Sequence, residues 1–130
     1  MDKLSQIKEP VKAEIVRYEA MYDESFATTN PLLKQVYTRV VERKGKQLRP
    51  VMLLLAAKAC GEINDTSYHS ALVLELLHNS TLIHDDVVDE AQIRRGQPSI
   101  NKEFGNKVAV LAGDYLLAQI FWLTNSIGNK

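Results

Sequence analysis

Between Leu72 and Asp89 the apolar residues Leu72, Leu76, Ile83 and Val87 recur at helical spacing, and the run closes on three carboxylates, Asp85, Asp86 and Asp89. An α-helix turns about 100° per residue, so Asp85 and Asp89 fall within roughly 40° of each other and about 6 Å apart along the axis, with Asp86 beside them. Like charges that close repel unless a cation sits among them. They also stand at a helix C-terminus, where the backbone dipole is already negative. A solvated helix end is one reading, but three acids there need a countercharge. Magnesium suits, because it takes oxygen ligands, keeps several waters and shares its shell between a few carboxylates and substrate phosphates. Arg94 and Arg95 are the other source of countercharge; if a metal neutralises the acids, both arginines are free for phosphate. The acidic edge is therefore expected to face a cavity inside a helical protein.

The rest of the chain agrees with that class. Leu4, Ile7, Val11, Ile15, Tyr18 and Tyr22 give one helix face over residues 2–22, with a break or kink expected at Pro10. Asn30 and Pro31 read as cap and first position of a second helix, ending near Lys44 and Gly45 with a left-handed cap. Residues 50–60 are apolar almost all round, which predicts a short, central helix stopped by Gly61. Asn64 or Asp65 caps the long helix that reaches about Val88. A polar loop follows over 92–99, and a last helix spans roughly 101–125, where Gly113 and several alanines allow close packing and one face suits a subunit interface. No strand pattern and no repeat is visible. The fold class is all-α, an antiparallel helical bundle.

Composition narrows the partners. The chain has 130 residues, 45% of them hydrophobic, enough for one domain with a core. Sixteen basic residues balance sixteen acidic ones, so no global field draws nucleic acid or an acidic membrane. The single cysteine, Cys60, rules out an internal disulfide framework, suits a reducing cytosol and is expected to be buried. The start of the chain carries no signal peptide pattern, and the apolar run over 108–123 is interrupted by Asp114 and too short to span a bilayer. A soluble, cytoplasmic protein without an integral membrane segment is expected.

Two further groups carry chemistry. In Gly45-Lys46-Gln47-Leu48-Arg49-Pro50, two cations three residues apart stand at a helix beginning. Arginine offers a planar fork, lysine a point charge and the helix N-terminus amide donors, a set suited to a diphosphate. Taken alone, the hexapeptide reads as a solvated turn. His78 lies nearly two turns before Asp85 and shares the carboxylate face, where it can bond a phosphate; taken alone, it reads as a satisfied histidine beside the core. His84 points elsewhere.

Together and in this order, the segments resemble the trans-type (all-E) polyprenyl diphosphate synthases. That family shows a Gly-Gly-Lys-Arg-x-Arg-Pro-like segment, then His-x-x-Ser/Thr-Leu-Ile-His-Asp-Asp-x-x-Asp, then Arg-Arg-Gly. Here they are residues 44–50, 78–89 and 94–96, with Lys44 in place of a glycine and Gln47 in place of an arginine. The resemblance implies the isoprenoid synthase type of bundle. It implies that Lys46, Arg49, His78 and Arg95 bind the diphosphate of isopentenyl diphosphate, and that Asp85, Asp86 and Asp89 hold Mg2+ on an allylic diphosphate that Arg94 also contacts. The implied reaction is head-to-tail elongation: diphosphate leaves, the double bond of isopentenyl diphosphate attacks the allylic cation, and a proton is lost. In the family, bulky aromatics near Ser80 and Thr81 act as a floor for short products; these two small residues imply a product beyond farnesyl length. A second aspartate-rich motif and later helices of the family are not seen, so residues 1–130 are expected to be the N-terminal helical part of the synthase domain, with little turnover alone and a homodimer through the last helix. Two other classes stay open: a non-catalytic helical interaction subunit of a heteromeric prenyl synthase, and a generic helical metal- or phosphate-binding module.

Overall fold

Several helices begin where a side chain supplies an acceptor for the first amides, as the computed structural model, which describes residues 2–127, shows. Asp2 caps α1 (Lys3–Lys8) through Ser5 N. Pro10 then forces a 3₁₀ turn over Glu9–Val11 before α2 (Lys12–Ser25) resumes, so the break at the proline is real. Asn30 caps α3 (Pro31–Glu42), with Pro31 at its first position. Asn64 forms a reciprocal capping box with Ser67 at the head of α5 (Asp65–Val88).

The core follows from helical periodicity. On α2, Ile15, Tyr18 and Tyr22 point inward, and Tyr18, Tyr22, Phe26 and Tyr37 form a chain of rings with centroids 6.1, 4.9 and 5.1 Å apart. On α5, Leu72, Leu76 and Ile83 are buried and Val87 is half-buried. α7 (Asn106–Ser126) packs along α5, burying Ala109, Ala112, Leu116, Ile120 and Leu123. Ser80 Oγ donates to Gly113 O at 3.1 Å, and His84 Nε2 lies 3.1 Å from Val110 O. Advancing on α5 thus means retreating on α7, so the two helices run antiparallel. A Cβ on Gly113 would run into the His84 imidazole, which is why the smallest residue stands there. α7 is long and apolar enough to cross a membrane by composition. It serves here as a core helix, with one face on α5.

Six expectations need correcting. Cys60 is exposed: α4 (Leu48–Cys60) buries residues only in its first half. α4 is not central among the described residues: it buries only Pro50, Val51 and Leu54, while Leu48 and Met52 face outward. It also starts earlier than Pro50, with Leu48. Gly45 is not a left-handed cap; α3 ends at Glu42, and the left-handed residue is Gln47, at φ 57°. The loop over 92–99 holds a two-residue hairpin, β1 (Ile93–Arg94) with β2 (Gln97–Pro98), turned by Arg95 and Gly96, both with positive φ. The last helix is interrupted: α6 (Ile100–Phe104) stops at Gly105, φ 94°, before α7. The expected unit of residues 1–130 includes Met1 and residues 128–130, which lie outside the described residues.

The end of α5 is held in an unusual way for its sequence. Ala91 N–H bonds Asp86 O and Glu90 N–H bonds Val87 O, the Schellman pattern, with Glu90 at φ 55° in the position that favours glycine. Glu90→Gly is expected to stabilise the fold by about 0.5–1 kcal/mol, since it relieves the left-handed Cβ and removes an acid from a negative helix end. A lower midpoint in urea for the glycine variant would contradict this.

Candidate functional site

The hairpin and the last turns of α5 build the site. β1 carries Arg94 back over α5, where its guanidinium makes two bonds to the Asp86 carboxylate, Nε–Oδ2 at 2.8 Å and Nη2–Oδ1 at 2.7 Å. This is a bidentate fork, with the Asp86 side chain only 6% exposed. The paired carboxylate, then the charges of Asp85 and Asp89, holds the Arg94 pKa above the usual arginine value. The base of the hairpin is closed by Ser99 and Asn101, which both donate to Ala91 O, at 2.8 and 2.9 Å. Arg43 ties α3 to the same loop through Pro98 O and Glu103.

These ties frame a cleft whose α5 wall is the stripe Glu75, His78, Asn79, Leu82, Ile83 and Asp86. The opposite wall carries Arg43, Lys44 and Gly45, and Arg94 and Arg95 close it from the hairpin. Val40, Leu82, Ile83 and Ile100 make part of it apolar. At Gly45 a Cβ would collide with the Arg95 guanidinium, so this glycine exists to let the arginine lie against the chain. Burial holds the His78 pKa below the usual histidine value, and Arg49, Arg95 and Arg94 press the same way. The neutral imidazole that results can donate or accept. The charge of Lys44 is committed to Asp23 at 3.1 Å.

The sequence-selected residues divide accordingly. His78, Asp86, Arg94 and Arg95 meet in one cleft. Arg49 does not line it, yet its field reaches both His78 and Glu75. Lys46 is exposed on the turn before α4 and does not line the cleft. Asp85 and Asp89 are exposed on the neighbouring stripe of α5, without a side-chain hydrogen bond or ion pair among the described residues. Asp86 is therefore chemically unlike its two neighbours, a distinction that the spacing did not carry. No three His, Cys, Asp or Glu side chains converge as a metal site among the described residues. The donor set still fits magnesium in a reduced form: two uncommitted carboxylates one turn apart can supply hard oxygens and leave the other positions to water and a diphosphate. Sequence reasoning missed Glu75, Asn79 and the role of Gly45. The first two were findable, since 75, 79, 82 and 86 follow one helical stripe.

Comparison with known proteins bears on this arrangement. A family model described as "Polyprenyl synthetase" matches residues 30–130. The chain is 41% identical over 130 residues to an all-trans-nonaprenyl-diphosphate synthase (geranyl-diphosphate specific) of Rhodobacter capsulatus, covering 99% of this chain and 40% of that protein. Among solved structures, a decaprenyl diphosphate synthase from Rhodobacter capsulatus superposes with a TM-score of 0.89 at 35% identity, over 97% of this chain and 39% of its own. A polyprenyl synthase from Caulobacter crescentus, complexed with calcium and isoprenyl diphosphate, superposes with a TM-score of 0.86 at 30% identity, over 94% of this chain and 37% of its own. The chain thus spans about 40% of the length of the relatives it matches.

Proposed function

This chain belongs to the polyprenyl synthetase family, and from that premise we propose that it carries the diphosphate-binding half of a trans-prenyltransferase site, which joins an allylic diphosphate to isopentenyl diphosphate. The observation that supports this most is the division among the three acids. Asp86 is spent on Arg94, which fixes the hairpin, while Asp85 and Asp89, on the neighbouring stripe, keep exposed carboxylates without a side-chain hydrogen bond or ion pair among the described residues. Asp85 and Asp89 would hold Mg2+. When bound, that ion supplies the positive charge that stabilises diphosphate as it departs. Arg95, His78, Lys46 and Arg49 bind the diphosphate of isopentenyl diphosphate. Arg95 occupies a left-handed turn position, which costs any residue with a Cβ about 1 kcal/mol, and a diphosphate contact would offset that cost. Arg94, oriented by Asp86, directs its remaining N–H groups at the allylic diphosphate. Val40, Leu82, Ile83 and Ile100 keep water from the allylic cation.

The experiment is a condensation assay. Labelled isopentenyl diphosphate, geranyl diphosphate and magnesium are incubated with the protein, and extracted products are read by mass spectrometry. Magnesium-dependent longer all-trans prenyl diphosphates support the reading. Neither product nor magnesium-dependent binding of either substrate would favour the non-catalytic interaction subunit.

The product is proposed to exceed farnesyl length. Support comes from Thr81, which is small and exposed; Ser80 faces α7 instead, its hydroxyl bonded to Gly113 O. Thr81→Phe is expected to shift the product distribution to shorter chains, and an unchanged mass spectrum would contradict that. The same proposal includes a cytosolic location and a homodimer through α7, supported by the exposed Tyr115, Phe121 and Trp122 on that helix.

A further inference from the structure

Glu75 is the one acid on the cleft-facing stripe of α5 that neither a metal nor an arginine fork accounts for. It is 5% exposed, and its Oε2 has no hydrogen-bond partner. A buried carboxylate in that condition is costly, so a specific reason for its presence is required. Its neighbourhood shares the deficit. Of five buried side-chain polar atoms without a partner among the described residues, four belong to Tyr18, Gln47 and Glu75. The shortfall is therefore concentrated around Gln47, which stands between Lys46 and Arg49 at the head of α4, and is not spread through the core.

The groups that face Glu75 define what it does. From α2 come Tyr18 and Tyr22, and the charge of Glu75 adds to the burial that pushes Tyr22 up to about 12 and Tyr18 higher still. From α4 comes Arg49 and from the hairpin Arg95. His78 lies one turn on along α5, and Lys44 and Arg43 face it across the cleft. No titratable group of α7 bears on it among the described residues. Burial raises its pKa above the ordinary glutamate value, and Arg49 and Arg95 oppose that rise. Neither arginine is within ion-pair distance, so both are attracted by Glu75 without being captured by it.

We propose that Glu75 is a positioning residue whose buried charge holds Arg95 on the cleft and draws Arg49 toward it before a diphosphate arrives, and which takes up a proton from solvent when the diphosphate draws those arginines onto itself. The inference rests on the diphosphate-binding reading above. Its logic is electrostatic. A bound diphosphate removes the cations that kept Glu75 ionised and adds negative charge nearby, so both changes favour the neutral acid. Diphosphate binding is then coupled to proton uptake, and its affinity strengthens as pH falls through the range in which Glu75 titrates.

The test is calorimetric titration of inorganic diphosphate into the full chain in two buffers of different ionisation enthalpy, for the wild type and Glu75→Gln. Diphosphate itself and His78 also exchange protons on binding, but they do so in both proteins, so the difference isolates Glu75. The wild type is expected to take up about one more proton per diphosphate than the variant when the pH lies between the free and bound titration ranges. Arginine placement should suffer as well, with affinity falling several-fold in Glu75→Gln at neutral pH. The variant is expected to fold. A folded-state pKa raised above the ordinary glutamate value means that the ionised carboxylate opposes folding at neutral pH, so the amide should raise the melting temperature there and lose that advantage below the unfolded-state pKa. Glu75→Met, which keeps similar volume without a charge, repeats the comparison. Equal proton counts in wild type and both variants would overturn the assignment while leaving the diphosphate site intact. A wild type that binds no diphosphate would overturn both.

Discussion

Replacing Asp85 and Asp89 together by asparagine is expected to lower magnesium-dependent affinity for an allylic diphosphate roughly 100-fold or more, which is about 2.7 kcal/mol. The two carboxylates stand one turn apart, exposed and without a side-chain hydrogen bond or ion pair among the described residues. The amide variant keeps their size but removes both charges from the ion's shell. Stability should move the other way. Two acids at a helix C-terminus oppose the dipole, so without magnesium the variant should melt no lower than the wild type. Calorimetric titration in the presence and absence of magnesium checks the first statement, and a thermal melt the second. A variant that loses affinity equally with and without the ion would show that Asp85 and Asp89 do not act through a metal.

Asp86→Ala is expected to behave quite differently, costing about 2–3 kcal/mol of stability, because it breaks two charge-assisted bonds and leaves Arg94 unpaired at the edge of the core. The hairpin should loosen with it, since Arg94 is the side chain that ties β1 to α5. Binding of diphosphate should then weaken as Arg95, the next residue, loses its placement against Gly45. A double-mutant cycle separates the pair from its surroundings: Asp86→Ala with Arg94→Ala should be less destabilised than the sum of the single changes. Additive losses would mean that the fork contributes nothing of its own. The contrast between the two experiments matters more than either alone. Three acids that look equivalent in sequence are expected to divide into two that serve a ligand and one that serves the fold.

That division marks where sequence reasoning succeeds and where it stops. The capped starts of α3 and α5 were legible, because a cap such as Asn30 or Asn64 acts on amides within three residues of itself. Pro10 was legible for the same reason: its effect is confined to its own turn. His78 lies in one cleft with Arg94 and Arg95, a grouping that helical period did not carry, since period placed His78 on the face of Asp85, which does not line the cleft. What was not legible depends on residues distant in the chain. Cys60 sits in an apolar run yet is exposed, as are Lys58 and Ala59 beside it, which the run alone does not signal. Asp86 differs from Asp85 only because β1 returns Arg94 to it. Gly45 looked like a helix cap, and its actual partner, Arg95, lies fifty residues away. Glu75 was hidden by its own helix: a single acid in a mostly apolar stretch gives no periodic signal, and only the cleft shows which way it faces.

The account stands most directly on whether a divalent ion and a diphosphate bind this chain together. Titrating geranyl diphosphate into the protein with saturating magnesium, and again with magnesium chelated, measures that coupling. The account predicts tight one-to-one binding that weakens at least tenfold when the ion is removed. Equal affinity in the two titrations, or no binding in either, would contradict it.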